Sequence, residues 1–216
     1  MVKDLCLEAS LLGPLIADIR NILTQNDRAR FRENIELIGQ YIGYEISKTL
    51  RYTNQEVTTP LGKAQCKTLA EQPVLATVLR AGLPLHAGLL RAFPKADNGV
   101  LSAYRKHTDE THFEICLQYA SCPPLQDRVL ILNDPMLATG KSIIAVLREL
   151  EAFGTPKEVH LVSVIAAQQG IDAVEEAFPQ ATIWTAAIDP DLNEKGYIVP
   201  GLGDAGDLAF GHGKHL

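Results

Sequence analysis

Between Val129 and Ser142 the chain reads VLILNDPMLATGKS, where an acidic residue and a loop of small residues lie between an apolar run and a segment with helical spacing. Asp134 offers a carboxylate that accepts hydrogen bonds from sugar hydroxyls. The N–H groups of Thr139, Gly140, Lys141 and Ser142 gather at a helix start, where backbone donors lack internal partners and the helix dipole is positive, which suits a phosphate. A carboxylate beside a phosphate nest repels a bare phosphate, so the pair reads as a site for a phosphorylated sugar. The competing reading is an ordinary strand-to-helix loop in which Asp134 caps a turn.

Three further places offer chemistry. Arg80 follows the apolar run VLATVL and precedes Ala81-Gly82, where small residues admit a ligand to the backbone, so its guanidinium can grip a diphosphate bidentately or simply face solvent. Arg105, beside Lys106, has the same two readings. The tail from Gly196 to Gly213, GYIVPGLGDAGDLAFGHG, sets six glycines around Asp204 and Asp207. It suggests a loop whose backbone meets a flat ligand. His212 and His215 receive no role.

Two motif matches fail. Gly140-Lys141-Ser142 ends like a nucleotide-binding P-loop, but the glycine that motif needs at position 135 is Pro135. Gly201 to Gly206 fits G-x-G-x-x-G, yet it lies near the C-terminus with no helix-length segment after it, so no dinucleotide fold can be built on it.

The spacing of apolar residues assigns the supporting elements. A first helix is expected around Leu11 to Leu23, and a long amphipathic one through Phe31, Ile35, Ile38, Ile42, Ile46 and Leu50, with Arg28, Arg30 and Arg32 on a solvated face. From Val74 the pattern alternates: strand Val74 to Leu79, helix Leu83 to about Ala92, strand Gly99 to Tyr104, strand Val129 to Leu132, helix from Ser142 ending at Gly154. Strand His160 to Ala166, helix Ile171 to Phe178 and strand Thr182 to Ile188 follow. This is the order of an α/β doubly wound, mostly parallel sheet flanked by helices. Residues 104 to 119 depart from it, with a polar turn from Arg105 to Glu110 and alternation from His112 to Tyr119, and predict a protruding β-hairpin. Ligands in such sheets bind beyond the carboxyl ends of the strands, which directs attention to Arg80-Ala81-Gly82, Arg105, the Asp134 loop and the segment after Ile188.

With 216 residues, 46% of them hydrophobic, the expectation is one domain over 1–216, divided into a helical segment about 1–50, a core about 74–190 and a C-terminal hood about 191–216. A net charge of −6 without a basic cluster argues against nucleic acid. Cys6, Cys66, Cys116 and Cys122 lack metal or C-x-x-C spacing and are expected to be reduced, buried thiols. No eighteen-residue apolar run or signal-peptide core is present, so a soluble cytoplasmic protein with no membrane association is expected.

DPMLATGKS at 134–142, VLRAGLP at 78–84, AYR at 103–105 and especially NEKGYIVPGLGDAGD at 193–207 resemble the motifs of the uracil phosphoribosyltransferases, and the likeness runs from about Glu33 to the C-terminus. The resemblance implies a type I phosphoribosyltransferase fold with a glycine-rich base-binding loop. The implied reaction is that of uracil with 5-phosphoribosyl 1-diphosphate, giving UMP and diphosphate in pyrimidine salvage. It further implies that Arg80 and Arg105 hold the diphosphate, Asp134 the ribose hydroxyls, and Ala138 to Ser142 the 5-phosphate. Pro135, Met136 and Leu137 complete that loop. Ile198, Gly203, Asp204 and Ala205 would read uracil. Arg105 and Asp204 would be catalytic, with Asp204 near the ribosyl diphosphate or a Mg2+ bound mainly through that substrate. A homo-oligomer, dimer or tetramer, is the expected assembly. Two positions depart from the pattern: Lys141, where a second glycine is expected, and Leu208, where a basic residue is. A transferase for another base, a non-catalytic nucleotide-sensing regulator, or a module whose loop Lys141 has spoiled are the alternatives.

Overall fold

The computed structural model describes residues 1–107 and 113–213. In chain order the elements are β1 (Val2–Asp4), α1 (Leu12–Arg20), α2 (Arg28–Ser47), β2 (Tyr52–Thr59), β3 (Gly62–Leu69), β4 (Val74–Leu79), α3 (Gly82–Ala92), β5 (Asp97–His107) and β6 (Phe113–Ser121). They continue with β7 (Val129–Asn133), β8 (Met136–Leu137), α4 (Lys141–Leu150), β9 (Glu158–Ala167), α5 (Gln168–Ala177), β10 (Thr182–Asp189), β11 (Asp191–Leu192), β12 (Ile198–Val199) and α6 (Ala205–Phe210).

The main sheet has the order β1-β10-β9-β7-β4-β5-β6, with β8 added beside β9, and among the described residues only its β5–β6 pair is antiparallel. Strands buried on both faces are mostly apolar, and β4 (VLATVL) and β7 (VLILN) are so except at Thr77 and Asn133. Successive residues face opposite layers. Leu75, Val129 and Ile131 pack with α1, α2 and α3, whereas Val74, Ala76, Leu130 and Leu132 pack with α4 and α5. The doubly wound, mostly parallel architecture is therefore the one read from the sequence. The β5–β6 hairpin is present too, while the turn expected within 108–112 lies outside the described residues.

Other elements differ from expectation. The first helix ends at Arg20, and Asp27 starts α2 by accepting hydrogen bonds from the N–H groups of Ala29 and Arg30. A second hairpin, β2–β3, occupies residues to which no element was assigned, and every β2 residue is exposed. Cys66 lies on β3 and is exposed, because that hairpin stands clear of the core. Cys6 and Cys122 are half-buried, so the expectation of buried thiols fails for these three. Burial still pushes the Cys122 thiol up to about 11. Among the described residues no helix is long and apolar enough to cross a membrane.

Helices α2 and α3 cross so closely that glycines line the contact. A Cβ on Gly88 would lie 1.9 Å from the Glu36 carbonyl oxygen, and one on Gly39 would lie 2.4 Å from that of Leu85. Gly88→Ala must force the helices apart. It is expected to destabilise the fold by about 2–3 kcal/mol, a fall of several degrees in Tm readable by thermal melting, because backbone on the other helix cannot move aside as a side chain can.

Candidate functional site

The strand order reverses between β4 and β7. From β4 the chain winds outward through β5 and β6, then returns to β7 and winds the other way through β9 and β10. Crossovers leave in opposite directions from these two strands and open a crevice beyond their carboxyl ends. Thr77 of β4 is the register partner of Asn133 of β7, so Arg80-Ala81-Gly82 and Asp134 emerge side by side.

A closed polar network lies beneath the crevice. Thr77 Oγ1 donates to Asn133 Oδ1 at 3.0 Å, and Asn133 Nδ2 donates to the Ala76 carbonyl at 2.9 Å and reaches His86 Nδ1 at 3.2 Å. His86 Nε2 pairs with Asn98 Oδ1 at 2.8 Å. The amide of Asn98 donates to Ala96, which leaves its Oδ1 as an acceptor and makes His86 Nε2 the protonated nitrogen. Nδ1 then accepts from Asn133, so the ring is neutral. Desolvation lowers the His86 pKa in the same sense. Gly82 sits directly over this network: a Cβ there would lie 2.3 Å from Thr77 Oγ1.

Asp134 follows β7, with its N–H bonded to the Val162 carbonyl and one carboxylate oxygen accepting from Met136 N at 3.3 Å. Burial pushes its carboxyl up to about 6, offset in part by that backbone bond. Pro135, Met136 and Leu137 are tied to β9, through the Pro135 carbonyl to Val164 and Ile165 and through the Met136–Ile165 and Leu137–Ala166 register. Gly140, at φ +76°, turns the chain into α4, and no side chain caps that helix. Lys141 N donates to the Thr139 hydroxyl at 3.5 Å, and the other N–H groups of the first turn lack partners within the helix. The positive φ falls on Gly140, and Lys141 does not need one, so the lysine does not crowd the turn. Gly170 lets α5 approach this loop, since a Cβ there would lie 2.3 Å from the Ala138 carbonyl oxygen.

The tail closes over the crevice. Ile198 is buried in β12, and Asp204 caps α6 by accepting from Asp207 N at 2.9 Å. Gly196 comes within 3.9 Å of the Thr139 methyl group as a Cβ would lie, and Gly206 within 4.0 Å of Ala81. Asp207 is 3.7 Å from the Arg80 guanidinium and 2.7 Å from His212 Nδ1. The His212 hydrogen bond is the main cause holding the Asp207 carboxyl below its usual range. Among the described residues, the Gly203 N–H and C=O and the Asp204 N–H have no hydrogen-bond partner.

The structure thus brings together Arg80, the 134–142 loop and the tail with Ile198, Gly203, Asp204 and Ala205. The Arg105 backbone lies in β5 opposite Ile115, and its side chain is outside those described. Asp207 and His212 were seen in sequence without a role. The supposedly solvated arginines are in part structural: Arg32 donates to the Ala209 carbonyl at 2.7 Å, and Arg30 pairs with Asp18. Arg32 holds the tail because α6 packs on α2, a contact no local pattern announces. Among the described residues no three His, Cys, Asp or Glu side chains cluster as metal ligands. The carboxylates at the crevice, Asp134 and Asp204, are oxygen donors of the kind a hard cation takes.

The architecture and crevice are those of the phosphoribosyltransferases. A hypoxanthine phosphoribosyltransferase from Staphylococcus aureus superposes with a TM-score of 0.52, covering 74% of this chain and 76% of that one at 13% identity, a likeness of fold. The chain belongs to the uracil phosphoribosyltransferase family, whose description matches residues 7–212. The uracil phosphoribosyltransferase of Porphyromonas gingivalis is 49% identical over 205 residues, 94% of this chain and 95% of that protein. That of Thermococcus gammatolerans is 43% identical over 92% of this chain and 90% of its own length. A solved Aquifex aeolicus structure, 32% identical, covers 98% of each chain with a TM-score of 0.87.

Asp134 generates a stability prediction. Its folded pKa is raised to about 6 from 3.8, so the folded state holds the proton more tightly than the unfolded chain. The group's contribution to stability is present at low pH and is lost as pH rises toward and through 6. Asp134→Asn removes the desolvated charge and keeps an acceptor for Met136 N. Its Tm at pH 8 is expected above that of the parent, by the equivalent of about 1–2 kcal/mol, with the gap narrowing toward pH 4.

Proposed function

We propose that this chain transfers the ribosyl 5-phosphate of 5-phosphoribosyl 1-diphosphate to uracil, giving UMP and diphosphate. The observation that carries the reading is the unpartnered N–H and C=O of Gly203, in the tail segment that covers the crevice beyond β4 and β7. Family membership supports the same reading.

The α4 N-terminus receives the 5-phosphate through the N–H groups of residues 139–142, where the helix dipole favours an anion. Asp134 accepts hydrogen bonds from the ribose hydroxyls and fixes the sugar's orientation. As diphosphate departs, positive charge develops at the ribose carbon, and Asp134 is the carboxylate nearest in chain to the bound sugar. Arg80 and Arg105 take up the negative charge that builds on the leaving group. Arg80 is already held beside the crevice by Asp207 and by the Gly211 carbonyl at 3.5 Å. Asp204 would be the protein carboxylate beside a magnesium ion carried in on the diphosphate's own oxygens, and such an ion would supply further charge neutralisation.

Uracil presents acceptor, donor and acceptor along one edge; the Gly203 C=O would accept from its central N–H and tail N–H groups such as those of Ile198 and Ala205 would meet its carbonyls, while the Asp204 N–H, on the same trans peptide as the Gly203 C=O, points away. Cytosine replaces the central N–H by a lone pair and one carbonyl by an amine, and so leaves polar backbone groups unpaired. Catalysis is mostly positioning, because uracil brings its own nucleophilic nitrogen and no proton need be taken from carbon.

With uracil, 5-phosphoribosyl 1-diphosphate and magnesium, the purified protein is expected to form UMP, and no product with cytosine, hypoxanthine or orotate. Asp134→Ala and Arg105→Ala proteins that melt normally should lose about 100-fold or more in kcat/KM, the scale of a removed charge-stabilising or orienting group. The kcat/KM for the ribosyl diphosphate should fall on the acid side of about pH 6, where Asp134 takes up a proton and ceases to be a full acceptor. Binding of the ribosyl diphosphate without turnover of any base would refute an enzymatic role.

A further inference from the structure

The base-reading edge is two residues from a clamp built by the opposite end of the chain. Asp189, the last residue of β10, has a side chain only 7% exposed, and both its oxygens are engaged. Arg20, at the end of α1, donates to them through Nη1 and Nη2, each at 2.8 Å. Asp189 also accepts from Gly201 N at 2.8 Å, while Arg20 Nη1 donates to the Gly201 carbonyl at 3.0 Å. One ion pair therefore holds the donor and the acceptor of a single residue. Next to it, Gln25 Nε2 donates to the Leu202 carbonyl at 3.1 Å and to that of Ile19 at 3.2 Å.

Gly201 can be held this way only as glycine, since its φ is +57° and a Cβ would lie 2.1 Å from the Ile198 carbonyl oxygen. With Gly201 and the Leu202 carbonyl both fixed, the peptide plane that carries the free Gly203 N–H is set, and the free Gly203 C=O is one residue's rotations beyond it. A planar two-pronged donor is required for this: a guanidinium satisfies two carboxylate oxygens and a carbonyl at once, and an ammonium does not. Buried ion pairs add little net stability over well-packed apolar groups, so the arrangement answers better to precision than to strength.

We infer that Arg20, Asp189 and Gln25 are positioning residues that aim the Gly203–Ala205 backbone and thereby set affinity for uracil, an inference that rests on the uracil-transfer reading above. The N-terminal segment is thus part of the base site. The clamp touches neither the Asp134 loop nor the α4 N-terminus, so its loss should weaken the base and spare the phosphorylated sugar.

Steady-state kinetics of Arg20→Lys and Gln25→Met, with both substrates varied and folding followed by thermal melting, test this. Each variant is expected to raise KM for uracil about 10-fold, while KM for the ribosyl diphosphate and kcat stay within about 3-fold. Gln25→Met keeps the charge pair intact, so it reports even if Arg20→Lys fails to fold. A lowered Tm with unchanged KM for uracil, or an equal rise in both KM values, would overturn the inference by making the clamp merely structural. If the parent protein binds ribosyl diphosphate but makes no UMP, the functional reading itself fails and this inference falls with it.

Discussion

The reversal of strand order between β4 and β7 is the constraint from which the crevice follows. Two parallel strands lie in register there, yet the chain leaves them in opposite directions, so no crossover covers their carboxyl ends. Everything placed at that gap must then be small or polar and fully bonded. Gly82 meets the first demand, and the Thr77–Asn133–His86–Asn98 network meets the second. Its donors and acceptors match in one protonation state alone, so a neutral His86 is as much a structural requirement as the glycine.

The site tolerates a cost that the fold around it does not need. Asp134 stays in place although burial disfavours its charge, and Arg80 is kept near the crevice by Asp207 and the tail carbonyl of Gly211. Groups arranged in this way are pre-positioned for a charged ligand.

Much of this was legible in the sequence because buried parallel strands and amphipathic helices carry strong periodic signals. The runs at 74–79, 129–132, 160–166 and 182–188 fell within a residue or two of β4, β7, β9 and β10. The strands that escaped are exposed or very short. β2 is exposed throughout, and β1, β8, β11 and β12 are too short for alternation to register. Within the site, the Asp134 loop and the glycine-rich tail stood out by residue type. Arg20 and Asp189 did not, because their partnership spans 169 positions and a lone arginine at a helix end reads as surface. Lys141 looked like an obstacle only because its backbone conformation is invisible in sequence, and the left-handed turn belongs to Gly140.

The first strand has a consequence for how the molecule is made. β1 forms the sheet's edge beside β10, the amino terminus bonds to the Ala181 carbonyl, and α1 delivers Arg20 to Asp189. On a ribosome the first twenty residues are finished long before any of these partners leave the exit tunnel. They must wait while β4, α3, β5, β7 and α4 assemble around the crevice, and β12 and α6 follow later still. A nascent or prematurely terminated chain can therefore own the crevice between β4 and β7 while Gly201 and the segment after it still lack the Arg20–Asp189 pair that fixes them.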